Sequence, residues 1–149
     1  MIDVLSESAL EAFLRSESIA HLACVLPDGR PYVVPISYAY DGGAFYGYSA
    51  DGMKLDALRA RPQTCISVDH LIDAATWISV VAWGVFRELA DESAADALRR
   101  LSLRMHTVAM ADEASLAAQR TYVARIARDG VAYRIDVIEK TGRRSTADG

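Results

Sequence analysis

One short segment of the sequence has the residue types and spacing of a phosphate-binding site. Residues 49–54, Ser-Ala-Asp-Gly-Met-Lys, join an apolar run with the pattern of a strand to a run with the pattern of a helix. The first turn of a helix offers free backbone N–H groups and carries partial positive charge. The Ser49 hydroxyl and the Lys54 ammonium would add hydrogen bonds to an anion held there. A solvated Lys54 neutralised by Asp51 explains the same residues equally well.

A strand with two unlike faces is predicted over residues 32–40, Tyr-Val-Val-Pro-Ile-Ser-Tyr-Ala-Tyr. Side chains alternate between the two faces of a strand. One face therefore carries large side chains, and the other carries the smaller side chains of Val33, Pro35, Ser37 and Ala39. Pro35 cannot donate a ladder hydrogen bond, which predicts an edge strand, a bulge or an interrupted ladder. The small face could support a flat ligand, although the pattern alone favours an ordinary edge strand.

Two tryptophans lie six residues apart in the run 77–85, Trp-Ile-Ser-Val-Val-Ala-Trp-Gly-Val. In a strand this spacing places Trp77 and Trp83 on one face. Rings on a shared face serve interfaces, aromatic ligands or, by default, core packing. Gly84 predicts either a close approach of two backbones or a β-bulge.

The motifs of several other chemistries are missing from the sequence. It contains no G-x-S-x-G elbow, P-loop, G-x-G-x-x-G or H-E-x-x-H, and its three histidines form no metal-binding pattern with carboxylates or thiolates. Cys24 and Cys65 lie in apolar strand-like runs, so we expect buried thiols. The net charge of −4 argues against a protein that binds a nucleic acid backbone.

The elements that must position these residues are six strands and four helices. A capping box, Ser8 to Glu11, predicts the start of the first helix. The expected order is helix 8–15, strands 19–26, 32–40 and 44–50, helix 51–61, strands 64–71 and 76–89, helices from 91 to about 105 and over 113–128, and strand 131–138.

Tight turns decide the fold that we expect from these elements. The turn signals at 27–30 (PDGR) and 41–43 (DGG) predict that the first three strands form an antiparallel meander. Six strands with helices at their edges indicate a mainly β fold, an antiparallel barrel. The length of 149 residues is that of one domain, for which we expect a flexible tail over 145–149.

The sequence also carries a prediction of location. The first residues lack the basic stretch of a signal or transit peptide, and the longest apolar run, 75–86, is too short to span a bilayer. We therefore expect a cytoplasmic protein.

Six segments together resemble the pyridoxamine-phosphate-oxidase-like FMN-binding split-barrel superfamily, and within it the branch that includes the nitroimidazole-resistance proteins. The resemblance covers most of the chain, in the family's order. Its segments are 20–23 (AHLA), 28–37 (DGRPYVVPIS), 45–50 (FYGYSA), 54–58 (KLDAL), 79–84 (SVVAWG) and 133–142 (YRIDVIEKTG).

The resemblance implies a six-stranded antiparallel split barrel that binds FMN between the two subunits of a homodimer. Ser49 and Lys54 would hold the phosphate, Tyr48 would lie beside the flavin ring, and Ser79 would approach from the second subunit. The ring would lie along one strand segment, made of Val34, Pro35, Ile36 and Ser37.

The function implied is that of an FMN-dependent oxidoreductase acting on a small molecule. In such proteins the flavin carries the electron chemistry, which agrees with the lack of a catalytic side-chain motif. Relatives in the nitroimidazole-resistance branch commonly have a histidine where this chain has Tyr48, so nitroimidazole reduction is not implied. The alternatives are a deazaflavin-dependent reductase and a non-catalytic flavin- or haem-binding module, for which His21 or His70 could be an axial ligand.

Overall fold

The computed structural model describes residues 1–108 and 112–147 of the chain. It contains eight strands and four helices among those residues, in this order: β1 (Ile2–Val4), α1 (Glu7–Ser16), β2 (Ile19–Val25), β3 (Pro31–Ser37), β4 (Ala39–Asp41), β5 (Ala44–Ala50), α2 (Met53–Ala60), β6 (Gln63–Leu71), β7 (Trp77–Glu88), α3 (Asp91–Val108), α4 (Glu113–Asp129) and β8 (Gly130–Ser145).

The strands form one antiparallel sheet in the order β3-β2-β6-β7-β8-β5-β4, with β1 added to the end of β8. The predicted fold class, a mainly β antiparallel split barrel with peripheral helices, is confirmed. There are eight strands rather than six because the predicted strand 32–40 divides at Tyr38 and because β1 was not predicted.

The predicted three-stranded meander is confirmed at both of its turns but not along its whole length. β2 and β3 form the first hairpin, and β4, which contains the end of the predicted strand 32–40, forms the second hairpin with β5. The other neighbour of β5 is β8 rather than β3. β3 and β4 follow each other in the chain with only Tyr38 between them, yet they lie at opposite ends of the sheet order. Six inter-strand spacings would separate those ends by about 29 Å in a flat sheet. The sheet must therefore curl until its two ends meet.

Tyr38 is buried at this junction and held on several sides. Its hydroxyl donates to the carbonyl oxygen of Leu14 at 2.8 Å, and its backbone N–H donates to the carbonyl oxygen of Ser18 at 3.0 Å. Its ring meets that of Phe45 edge-on at 5.1 Å between centroids. The point where the curled sheet closes is thus tied both to α1 and to the core.

The inside of the curled sheet is filled by its own apolar side chains and by two helices. α1 buries Leu10, Phe13 and Leu14, and α2 buries Leu55 and Leu58 completely. On the other face of β5 and β8, α3 packs on a smaller apolar cluster, made of Ala44, Tyr46, Ala97 and Ala132. Both faces of β5 and β8 are therefore covered. Within the described ranges no helix is long and apolar enough to cross a membrane.

Both predicted helix caps differ in the structure. The hydroxyl oxygen of Ser6, not Ser8, accepts the cap hydrogen bond of α1, from the N–H of Ala9 at 3.3 Å. Helix α2 begins after Gly52 without a side-chain cap. The carboxylate of Asp51 instead accepts from Arg59 at 2.8 Å. A bond to a charged guanidinium has thus replaced the cap that the spacing predicts.

The last strand is longer than predicted. Ser145, expected in a flexible tail, ends β8 and pairs with both Ile2 and Trp77. Of the rest of that predicted tail, residues 148 and 149 lie outside the described part of the chain.

The predictions for Pro35 and Gly84 are confirmed. Pro35 lies in β3, at one end of the sheet order. The register of β7 on β8 shifts between Trp83 and Gly84, which is a bulge. A Cβ atom on Gly84 would also lie 2.6 Å from the carbonyl oxygen of Asp136, so the backbones approach closely at the same place.

Replacing Gly84 by alanine tests that close approach. We expect Gly84→Ala to lower the free energy of unfolding by about 1–3 kcal/mol, because the new methyl group meets a backbone oxygen that cannot move cheaply. Gly52→Ala is the control, since no atom lies within 4 Å of its Cβ position. Urea unfolding measures both variants. Equal losses would contradict the close approach.

Candidate functional site

A cavity of about 540 Å³ opens where the curled sheet fails to close. Its walls come from β3 and from the end of β5, two strands that face each other but are not hydrogen-bonded neighbours. The first turn of α2 and the C-terminal half of α4 complete it. Six of the eight residues predicted from the sequence line this cavity: Pro35, Ile36, Ser37, Tyr48, Ser49 and Lys54.

The two other predicted residues lie elsewhere in the single chain. Val34 packs against the core inside the sheet. Ser79 lies in β7, paired with Asp69 of β6 and Arg143 of β8. Neither is a lining residue of the cavity, so a role for Ser79 requires a second subunit.

Lys54 is the second residue of α2 and lies half-buried at the cavity. Burial holds the pKa of its ammonium below the usual lysine value, and the nearby Cys24 thiol opposes this only in part. Within the described part of the chain the structure gives Lys54 no carboxylate partner. The alternative interpretation, neutralisation by Asp51, is therefore wrong, because that carboxylate is bound by Arg59.

The remaining predicted residues add hydroxyls and a flat wall. The Ser49 hydroxyl donates to the neighbouring Ala50 carbonyl oxygen at 3.1 Å. Ser37 is half-buried at the end of β3. Because β3 is an edge strand, its outer edge presents unpaired backbone N–H and carbonyl groups. This wall can therefore hydrogen-bond to the rim of a planar ligand without using a charged side chain.

Helix α4 contributes lining residues that sequence reasoning missed. Tyr122, Arg125 and Asp129 line the cavity, and the Arg125 guanidinium lies over the Tyr122 ring at 5.7 Å. Their spacing places them near one another on the predicted helix 113–128. The local sequence pattern does not indicate that this helix packs beside β3 and β5. Its residues therefore could not be assigned to the cavity from the sequence. The other missed lining residues are Ile19, Ala50 and Gly130.

The charge at the cavity is opposite in sign to that of the whole protein. Lys54 and Arg125 face one acidic lining residue, Asp129, while the chain has a net charge of −4. His21 and His70 do not line the cavity, and His70 contacts Glu17 at 3.3 Å. Among the described residues no group of three potential metal ligands comes together. The arrangement suits an anionic ligand with a flat apolar part.

The two cysteines differ in burial. Cys24 is buried, as expected, whereas Cys65 is only partly buried, so the second prediction is wrong. Cys65 pairs with Trp83 on the outer face of the sheet, away from the core.

The curled sheet with its open seam defines the chain as a split-barrel protein, as the sequence motifs predict. The sequence profile of the pyridoxamine 5′-phosphate oxidase family matches residues 6–144. The chain therefore belongs to that family.

A relative of known sequence matches part of the chain. An uncharacterised protein of Rhizobium meliloti (strain 1021) is 33% identical over 88 residues, which span 59% of this chain and 58% of that relative. The match thus spans less than two thirds of the relative's length.

Two solved structures share the fold. One is a FAD-binding protein of Mesorhizobium loti, 28% identical, with a TM-score of 0.74 and coverage of 98% of this chain and 99% of that one. The other is a candidate 5-nitroimidazole antibiotic resistance protein of Bacteroides thetaiotaomicron, 16% identical, with a TM-score of 0.72 and coverage of 97% and 89%.

The chain has two lysines, which makes the electrostatics of Lys54 directly measurable. Burial also opposes the charge of Lys140, but ion pairs with Glu7 and Glu11 at 2.6 and 3.0 Å outweigh it and raise its pKa. We expect two resolved titrations in the NMR spectrum of the lysine-labelled protein, with Lys54 below and Lys140 above the ordinary lysine pKa. Lys54→Arg assigns the signals. Coincident titrations would contradict the difference between the two sites.

Proposed function

We propose that this protein binds FMN in the cavity and is an FMN-dependent oxidoreductase of a small molecule. The observation that carries this proposal is the half-buried Lys54 ammonium at the start of α2, which has no carboxylate partner among the residues that the structure describes. Burying a charge is costly unless a counter-charge compensates it. The phosphate of FMN is such a counter-charge, and the N–H groups of the first turn of α2 would share it.

The flat part of the ligand is assigned to the wall formed by β3. Pro35, Ile36 and Ser37 line this wall, and Pro35 and Ser37 are on the face of the strand that carries the smaller side chains. As an edge strand, β3 also offers unpaired backbone groups. Tyr48 also lines the cavity, next in sequence to the proposed phosphate ligand Ser49. These residues would bind and orient an isoalloxazine ring, with the phosphate at the end of the cavity where Lys54 lies.

The flavin and the protein side chains would have different roles in the reaction. A bound flavin supplies the electron chemistry, and the protein supplies binding, orientation and electrostatics. Lys54 and Ser49 would bind the phosphate, and the apolar residues Ile19 and Ile36 would exclude water from the ring. The positive charge of Arg125, at the α4 side of the cavity, would favour an anionic substrate or a second phosphate.

The Mesorhizobium loti relative, described as FAD-binding, supports a flavin in this cavity. FAD contains the riboflavin phosphate unit of FMN, so one phosphate site beside one flat wall serves both cofactors. FMN is the smaller of the two ligands, and its single phosphate is the counter-charge that Lys54 requires.

We also propose a homodimer that forms through the outer face of the sheet. A row of apolar or small residues crosses four strands in register, and its end members Val33 and Trp83 are 58% and 43% exposed. The row consists of Val33, Ala23, Cys65 and Trp83. Ser79 and Trp83 are four residues apart in β7, so their side chains lie on the same face of the strand. A second copy on this face would bring the partner subunit's Ser79 toward the cavity.

Lys54→Ala tests the phosphate site. The variant should bind FMN about 10–150-fold more weakly, which corresponds to losing a charge-assisted hydrogen bond worth ~1.5–3 kcal/mol. Riboflavin, which lacks the phosphate, should bind as it does to the natural chain. Flavin fluorescence titration measures both ligands.

Arg99→Ala is the matched control for this experiment. Arg99 is an exposed cation of α3 that pairs with Asp96, and neither residue lines the cavity. It removes the same charge from the chain, so FMN affinity should stay within about twofold. An unchanged ratio of FMN to riboflavin affinity in folded Lys54→Ala would rule out the phosphate role.

Trp83→Glu tests the dimer. A carboxylate within an apolar interface is costly to bury, so the variant should sediment as a monomer at concentrations where the natural chain is a dimer. FMN affinity should fall in parallel, because the partner subunit's Ser79 no longer approaches the cavity. Leu103→Glu, at an exposed apolar residue of α3, is the control and should remain a dimer. A dimeric Trp83→Glu would contradict this interface.

A further inference from the structure

We propose that Tyr133 is a positioning residue for Lys54, and that its ring holds the ammonium at the cavity without neutralising it. The inference rests on the proposed role of Lys54 as the phosphate ligand. The Lys54 Nζ atom lies 5.8 Å from the centre of the Tyr133 ring. This is within the range of a cation–π contact, in which the negative face of the ring attracts the cation.

The position of the Tyr133 ring is fixed by its surroundings. Tyr133 lies in β8 and is only 1% exposed, and its ring packs on that of Phe86 at 5.6 Å. Across the strand pair it faces Gly47 of β5. A Cβ atom on Gly47 would lie 2.2 Å from the ring carbon Cζ, so the ring occupies the space that any other residue would fill. The ring that contacts Lys54 therefore has little freedom to move.

The hydroxyl of Tyr133 is not what holds the ring. It is buried and has no hydrogen-bond partner within the described ranges. An unpaired buried hydroxyl costs stability, so it cannot account for the placement. Packing on Phe86 and Gly47 accounts for it, which predicts that phenylalanine would keep the contact with Lys54.

The acidic residue in the loop before α2, Asp51, is bound by an arginine and not by Lys54. Arg59 binds Asp51 at 2.8 Å and Glu88 through two hydrogen bonds of 3.0 Å. A carboxylate beside Lys54 would compete with a phosphate for the ammonium. A ring attracts the same ammonium but carries no net charge, so the positive charge stays available to the ligand.

The first test uses the natural chain without a ligand. A ring face near Lys54 should move the NMR signals of its side-chain methylene protons upfield of those of Lys140, which lies among carboxylates. Tyr133→Phe should keep the upfield shift, and Tyr133→Leu should abolish it. Lys54 signals at ordinary lysine positions in the natural chain would overturn the contact.

The second test measures the consequence for the ligand. We expect Tyr133→Leu to lower the ratio of FMN to riboflavin affinity about tenfold, and Tyr133→Phe to keep the ratio within about twofold. Phe13→Leu is the control for a loosened core, because it removes a buried aromatic ring of α1 rather than one that packs on Tyr133. Any loss of affinity in this control should be the same for FMN and for riboflavin.

The outcomes separate the inference from the function on which it rests. An unchanged ratio in Tyr133→Leu, with Lys54→Ala lowering it, would overturn the positioning role and leave the phosphate site intact. An unchanged ratio in Lys54→Ala would overturn both. If Tyr133→Leu does not fold, Gly47→Ala displaces the same ring while keeping both side chains, and the same loss of ratio is expected.

Discussion

One residue joins two strands that belong to opposite ends of the sheet, and the shape of the molecule depends on this constraint. Consecutive Cα atoms are about 3.8 Å apart, so Tyr38 can span only a small part of the width of a flat sheet. The sheet must curl, and its end strands meet without pairing fully. The seam between β3 and β5 is therefore a consequence of chain connectivity, and the cavity with most of the predicted site residues lies at this seam.

Local sequence patterns predicted the parts of the site that are local in the chain. Strand 44–50 has its predicted bounds, and the residues from Tyr48 to Lys54 follow from one strand end and one helix start. The pairing of β5 with β8 brings together residues eighty or more positions apart, so no turn signal could predict it. The contribution of α4 was missed for the same reason: its packing on the sheet depends on the tertiary fold.

Arginine and lysine side chains compete for the carboxylates of this protein. Arg59 presents a planar guanidinium that binds Asp51 and both oxygens of Glu88, a geometry that a lysine cannot match. Lys140 is held by Glu7 and Glu11, which fixes α1 on β8. The sequence spacing predicts a pair between Asp51 and Lys54, which are three residues apart. In the structure the Asp51 carboxylate is instead bound by the better donor, the Arg59 guanidinium. Lys54, in a protein of net negative charge, thereby has no carboxylate partner within the described ranges, at the place where an anion is proposed to bind.

The bulge at Gly84 comes immediately after Trp83. Between Trp77 and Trp83 the strand is regular, so both indole rings lie on the outer side of the barrel. They are the protein's only tryptophans, and the interior is packed without an indole. The tryptophan emission of this chain therefore originates on its outer surface. Its colour reports the polarity at that surface, and quenching by dissolved iodide reports how much of it is open to solvent.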